Sequence, residues 1–513
     1  MRSISFRLVL VSLMALALSA GFAQRSKELV IGWTADEFNV EINRVRLAMY
    51  PLNTGVCESL FKLSKDFRVQ PWLAESFEYK GNGTFRITLR KGIKFHDGQP
   101  LTAEAVKYSL DRTVKTNVGY SQLGENSVKT VDDMTVDITP VRTNLRLIEQ
   151  LVHTTYSIIA PGSDQRIKPV CTGAYRFVEY VPNDRIVVEA NPDYWNSNKP
   201  RTARVVYKFI TDDNTRLLAL LAGQVDAIVN MPRSAVKTVQ ANPNLKVVTG
   251  QPGAVIMVTT NAKGNETFNI LTDARVRKAV AHAIDRKTLI ENVLENLALP
   301  ISTVNPGEAL GGYASLVKPL AYNPEGSAKL LEEAGWKLGT DGIRAKGEKR
   351  LSLTLLLSSV GGVGPEVTQY VQDQLRRVGI ELKIEPVDNA TFSARQEKGQ
   401  FDLITWLPNQ NDANPAFLMQ LWWSKVATAK AGPWVQAGPN FDAVIDKILT
   451  SPSNPQELRK LSAGAMRVLI EQQTVAFPLA GVYRIYGLKK SLTGFAPHPA
   501  IQYLDWRNVG FGN

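Results

Sequence analysis

The residues best suited to chemistry stand between Phe401 and Trp423, in FDLITWLPNQNDANPAFLMQLWW. Trp406 is followed by Pro408, then by Asn409, Gln410, Asn411, Asp412, Ala413, Asn414 and Pro415. Four amide side chains and one carboxylate offer donors, acceptors and a negative charge beside an indole. Such a set can hold a polar small molecule through hydrogen bonds. It contains no nucleophile paired with a base, so it does not read as a centre for bond breaking. The same residue types also dominate turns, and on its own the stretch fits either use.

The elements that carry the stretch decide between the two. Residues 401–407 are an apolar run of strand length, stopped by Pro408. Before them, residues 351–357 and 380–386 read as strands. Residues 365–378 read as a helix with Val367, Val371, Leu375 and Val378 on one face and Gly379 as its stop. A second helix is expected near 390–398. Strand, helix, strand, helix, strand implies a parallel sheet wrapped by helices. In such sheets ligands sit in the crevice beyond the carboxyl ends of the strands, where residues 408–415 fall.

A second strand–helix–strand unit spans 205–228, with Asn214 as the expected cap and Gly223 as the stop. The strongest helical signal runs from 271 to 296. Residues 84–90 alternate apolar and polar, and Thr102 is placed to cap a helix over 103–114. The chain has 513 residues, too many for one core, so two or three domains are expected.

Arg2 and Arg7 precede the apolar segment 8–18, and Gly21 and Ala23 are small residues at −3 and −1 to a cut before Gln24. This is the pattern of a secretory signal peptide over 1–23. Gln24 is not a cysteine, so no lipid anchor is expected, and the protein is expected to be periplasmic. Net charge is +12, but the lysines and arginines are scattered, which argues against a nucleic-acid surface. Cys57 and Cys171 are the only cysteines. In an oxidising compartment they are either bridged or buried as thiols. His96, His153, His282 and His498 are dispersed, so no metal site and no cofactor are expected; His96 reads as a turn histidine. A secreted hydrolase using the same cleft is the competing class. It lacks the G-x-S-x-G and H-E-x-x-H patterns.

Nine segments, in order, resemble one family: CESLF, QPWLAESFEY, FRITLRKGIKFHDGQPLTAEAVKYSLDR, CTGAYRFVEY, NPDYW, DARVRKAVAHAIDRK, YNPEGSAKLLEEAGW, LRRVGIELKIEPV and QFDLITW. The chain is similar to extracytoplasmic solute-binding proteins of the dipeptide/oligopeptide/nickel class, which serve ABC importers. The resemblance implies an α/β, two-lobed periplasmic-binding-protein fold with an inserted α+β domain. Lobe one would be 24–60, 169–252 and 486–513, the insertion 61–168, and lobe two 253–485. It implies a monomer that closes on a solute or peptide by a hinge and passes it to permease subunits in the inner membrane.

The family pattern also implies the site. Ligand-binding residues would be Trp406, Asn409, Asn411 and Asp412 on one wall, and Trp33, Glu37 and Phe38 on the other. Peptide-binding members place an amine-anchoring aspartate where this chain has Asn411, with Asp412 one residue on. They place a carboxylate-anchoring arginine near Ser358, where 356–365 holds no basic residue. An ordinary dipeptide is therefore expected to bind weakly. Cys57 and Cys171 replace common tyrosine and glycine positions of the family, which favours a bridge between them.

Overall fold

The backbone passes twice between two β-sheets, and this double passage sets the architecture. A computed structural model describes residues 28–34, 55–116, 122–163, 168–307, 309–358, 363–425, 432–451 and 454–512. The leader, the cut before Gln24, and the candidates Glu37 and Phe38 lie outside the described residues.

The first sheet has the spatial order Leu245–Thr249, Ile485–Lys489, Ala227–Ile228, Glu28–Trp33, Arg204–Phe209, Arg185–Ala190, Tyr175–Val181. Glu28–Trp33 lies between two parallel neighbours, Arg204–Phe209 and Ala227–Ile228. The helix Asp213–Leu221 makes the crossover between those two. Its cap is Asp212, not Asn214: the Asp212 carboxylate accepts from the Thr215 N–H at 2.7 Å, so the helix starts earlier than the sequence suggests.

The second sheet runs Ala298–Leu299, Ala476–Val482, Ala254–Thr260, Leu403–Trp406, Ser352–Ser358, Glu381–Val387. Its two long central strands, Ala254–Thr260 and Ala476–Val482, are buried at every position. Leu403–Trp406, Ser352–Ser358 and Glu381–Val387 are parallel, as the strand–helix alternation requires. The helix Pro365–Arg377 buries Val367, Val371 and Leu375. Gly379 ends it at φ +85°, and a Cβ there would sit 2.7 Å from the Arg344 side chain.

The expected helix over 271–296 is broken. Ala274–His282 stops, and Asp285 in extended conformation caps a new turn by accepting from the N–H groups of Lys287 and Thr288. Arg286 explains the break. Its guanidinium donates to the carbonyls of Ala281 and Ile284, which a continuous helix would have used, and to that of Pro478 in a distant strand.

The chain crosses from the first sheet to the second at residues 250–253 and returns at 483–484. The crossings touch: the Gly250 N–H donates to the Arg484 carbonyl at 3.3 Å. Gly253 packs so tightly that a Cβ would lie 1.8 Å from the Pro499 carbonyl oxygen. No other residue fits there.

A four-stranded antiparallel sheet, Ala74–Gly81, Thr84–Leu89, Thr135–Ile138 and Val128–Asp132, with the helix Ala103–Thr116, forms a separate unit. Its entry and exit are fastened together. Cys57 and Cys171 are joined, with Cα atoms 4.9 Å apart. The neighbouring Glu58, 7% exposed, accepts from Trp72 Nε1, Thr172 Oγ1, Tyr194 OH and Trp195 Nε1 at 2.6–2.9 Å. Four donors offset the desolvation of that carboxylate. His96 is more than a turn residue. It bridges to this fastening, with Nδ1 accepting from the Cys171 N–H and Nε2 3.0 Å from the Gly173 carbonyl.

The bridge closes a loop spanning 114 positions and removes much of the unfolded chain's freedom. Thiol counting on denatured, unreduced protein should find no free thiol, and Cys57→Ser with Cys171→Ser should cost about 2–5 kcal/mol in denaturant unfolding. Two free thiols would rule the bridge out.

Asp402 opens the strand Leu403–Trp406 and stitches it to its neighbour: Thr354 N–H donates to its carboxylate at 2.8 Å. Burial pushes this carboxyl up to about 6, against that hydrogen bond and the attraction of Lys349. Burial also holds His96, His153 and His498 down at about 4. The signs oppose. The histidines lose stability as pH falls below their unfolded value near 6.5. Asp402 contributes stability that is complete below about 4 and lost as pH rises through about 6. A single substitution separates them. Asp402→Asn should stabilise the protein by about 2–3 kcal/mol at pH 7.5, and the advantage should shrink towards zero by pH 4. An advantage that does not change with pH in thermal unfolding would refute this.

Candidate ligand-binding site

The loop beyond Trp406 is built on alternation. Gln410, Asp412 and Asn414 are buried, while Asn409, Asn411 and Ala413 are half-buried. The inner set holds the loop together. Gln410 Nε2 donates to the carbonyls of Asp412 and Asn414 at 2.9 Å and to Asp412 Oδ1 at 3.1 Å. Asp412 Oδ1 also accepts from the Asn414 N–H, and Asn414 Oδ1 from the Ala416 N–H, both at 2.9 Å. The loop starts pinned to the first crossing, because Gln410 N–H donates to the Gly253 carbonyl and Val255 N–H to that of Pro408.

Asp412 is thus a turn-capping carboxylate inside the loop, 1% exposed, and not part of an open wall. Burial drives its carboxyl well above the usual range. Glu149 adds to the shift, and the bonds from Asn414 and Gln410 oppose it. The outer set is what faces away: Trp406, Asn409 and Asn411 are half-buried. Trp406 Nε1 and Asn411 Oδ1 have no hydrogen-bond partner among the described residues.

On the other side lie the carboxyl ends of the parallel strands Glu28–Trp33, Arg204–Phe209 and Ala227–Ile228. Arg216 locks them together. Its fully buried guanidinium donates to the carbonyls of Ile210, Thr211, Val229 and Asn230 and to Asp213. Asn230 is thereby held at φ +49°. Trp33 is 7% exposed and packs edge-on to Tyr207 at 5.5 Å, inside the core of this lobe.

Between the two sides stands Arg484, in the second crossing. Its Nη1 donates to Asn230 Oδ1 at 3.0 Å and its Nη2 to Asn409 Oδ1 at 2.5 Å. Burial lowers its pKa. Nothing in the sequence marks it out, because one arginine between two apolar runs looks like any scattered surface charge. Ser358, at the end of the strand where peptide binders carry an arginine, bonds to Asn389 at 2.5 Å.

The inserted unit and the C-terminal segment close the third side. Ala413 N–H donates to the Glu149 carbonyl, the rings of His153 and Phe417 are 5.7 Å apart, and Gln502 Nε2 donates to the Asn411 carbonyl. Leu145 N–H also reaches the Leu449 carbonyl at 2.7 Å. Both cysteines are bonded to each other, and the buried histidines are engaged with backbone. Among the described residues no three His, Cys, Asp or Glu side chains gather in a way that could hold a metal.

A family model for bacterial extracellular solute-binding proteins, family 5 Middle, matches residues 68–430. The glutathione-binding protein GsiB of Salmonella paratyphi A is 28% identical over 460 residues, 85% of either chain. NikA from Brucella suis, in complex with Fe(III)-EDTA, superposes with a TM-score of 0.82 at 25% identity, over 94% of this chain and 99% of its own. DppA from Helicobacter pylori, in complex with peptide STSA, gives 0.77 at 21% identity over 96% and 100%, which speaks for the fold alone. These are two-lobed periplasmic binding proteins, and the present chain shares their α/β architecture. Members of the matched family bind solutes for ABC importers and are not enzymes, which removes the hydrolase reading. With the family model matched over most of its length, this chain belongs to the bacterial extracellular solute-binding proteins of family 5.

Proposed function

We propose that the protein captures a small polar solute or a peptide between its two lobes, closes on it, and delivers it to the permease subunits of an ABC importer in the inner membrane. The observation that carries this reading is the meeting of two strand ends. Residues 409–411 follow the carboxyl end of a parallel strand in one mixed sheet, and Asn230 follows that of a parallel strand in the other, with the touching crossings between them. Open α/β sheets bind ligands at such ends. Lobe one is taken as 24–60, 169–252 and 486–513, the insertion as 61–168, and lobe two as 253–485, working as a monomer.

The wall is formed by Trp406, Asn409 and Asn411, an aromatic face with amide groups. It suits a solute rich in hydroxyls or amides, and the relative named for glutathione agrees with a peptide-like one. Asp412 is spent on its own turn, so the ammonium of an ordinary dipeptide meets no carboxylate on this wall. An unpaired charge desolvated on closure costs roughly 3–5 kcal/mol, which keeps such dipeptides weak.

Closure is the motion that two crossings permit: each lobe moves as a unit and the short segments 250–253 and 483–484 absorb the change. A thermal-shift screen over peptides, sugars, opines and polyamines selects a saturating solute. With it, small-angle scattering should show a smaller radius of gyration than without. Superimposable profiles would refute closure.

Export follows from the leader, with mature protein beginning at Gln24. N-terminal sequencing of exported protein should read from Gln24. An intact Met1 there would refute the cut.

A further inference from the structure

Most enclosed arginines among the described residues are answered by carboxylates or carbonyls; Arg146 pairs with Glu149 and Arg507 with Asp505. Arg216, Arg277, Arg286 and Arg344 spend their N–H groups on main-chain carbonyls, three or four each where they are most enclosed, and two of them add a carboxylate. A carbonyl fixed in a strand end or a helix end cannot leave. Those guanidiniums are parts of the scaffold.

Arg484 differs in its partners. Its two partners are side-chain amides, one from each lobe. Its Nε is buried with no partner. Among the described residues no carboxylate forms an ion pair with it, and Tyr486 is its one electrostatic neighbour. The Tyr486 hydroxyl is also buried without a hydrogen-bond partner, in a side chain 1% exposed. An amide oxygen answers a hydrogen bond but not a charge. A guanidinium keeps its charge even when burial lowers its pKa, because its ordinary value is so high. The result is an enclosed cation between the lobes whose charge no carboxylate among the described residues answers.

We propose that Arg484 is the anion anchor of the cleft and that the solute presents a carboxylate to it; this rests on the solute-binding reading above. Asn409 belongs to lobe two and Asn230 to lobe one. Opening the lobes withdraws Asn409 and exposes the edge formed by Nε and Nη2. A carboxylate can then take that edge with two parallel bonds, the geometry guanidinium favours. Closure desolvates the pair, and the Tyr486 hydroxyl stands near to donate a further bond. Among the described residues no carboxylate balances this cation, so the preferred solute carries net negative charge at the end that reaches the crossings. The arginine expected beyond the strand Ser352–Ser358 is absent, and a different element supplies the positive group.

The test is a thermal-shift and calorimetric screen of matched pairs on mature protein: N-acetylated tripeptides and hydroxy acids as free acids, the same compounds as amides, and neutral sugars. Acids should raise the melting temperature of the wild type, their amides should do so at least tenfold less tightly, and Arg484→Gln should abolish the preference. Asn409→Asp supplies the missing charge from within, and covers the case in which Arg484→Gln fails to fold. It should raise the melting temperature without ligand and weaken acids at least tenfold. Equal binding of acids and amides by the wild type, or an acid preference that survives both variants, overturns the anchor while leaving solute binding intact. No shift with any class, sugars included, would instead sink the solute-binding reading of the cleft, and the anchor with it.

Discussion

Everything in this protein hangs on two short passages of backbone that must run side by side. Residues 250–253 and 483–484 carry the chain between the sheets, and the Gly250 N–H bonds to the Arg484 carbonyl where they meet. A pair of adjacent, antiparallel connectors lets two lobes turn about one line and little else. The close approach of Gly253 to Pro499 shows how tightly the connectors are packed. Loop 409–415 is pinned to the same place through Gly253 and Val255. The proposed binding wall and the crossings are therefore one assembly, and on that reading a solute that touches the wall acts on the crossings directly.

Much of the fold could be read from the sequence because its signals are local and repeated. The apolar faces of 365–378 and 401–407, with their Gly and Pro stops, give the parallel unit without any tertiary information. Reading failed where a tertiary contact outcompetes a local preference. The helix expected over 271–296 breaks because Arg286 draws carbonyls from two elements, one of them far off in sequence at Pro478. The helix at 213 starts at Asp212 because that carboxylate, rather than the amide of Asn214, reaches an unpaired N–H.

The site was half legible for a related reason. The sequence N-Q-N-D-A-N-P lists the polar groups of the loop but not which members face inward. Alternation in an irregular loop depends on which side is covered, and here the insertion and the C-terminal segment cover the side of Gln410, Asp412 and Asn414. Asp412 looked like the outstanding charge of the stretch, and the fold uses it as mortar. Arg484 had no motif at all. Its significance comes from what is missing around it, which only the arrangement of lobes reveals.

Ion pairs elsewhere between the lobes differ in kind from that arginine. Arg233 and Glu366 approach to 3.5 Å across the lobes, but the carboxylate side chain is 45% exposed and the guanidinium 26%. Solvent screens such pairs, and each contributes a few tenths to about 1 kcal/mol. They can bias the lobes towards contact without selecting a solute. Selection needs a group whose state changes greatly when the ligand arrives. A charge already desolvated and answered only by amides is such a group, because the right counter-charge relieves it and a neutral analogue does not. In the proposed mechanism the weak outer pairs leave a closed form accessible, and Arg484 decides which ligand holds it there.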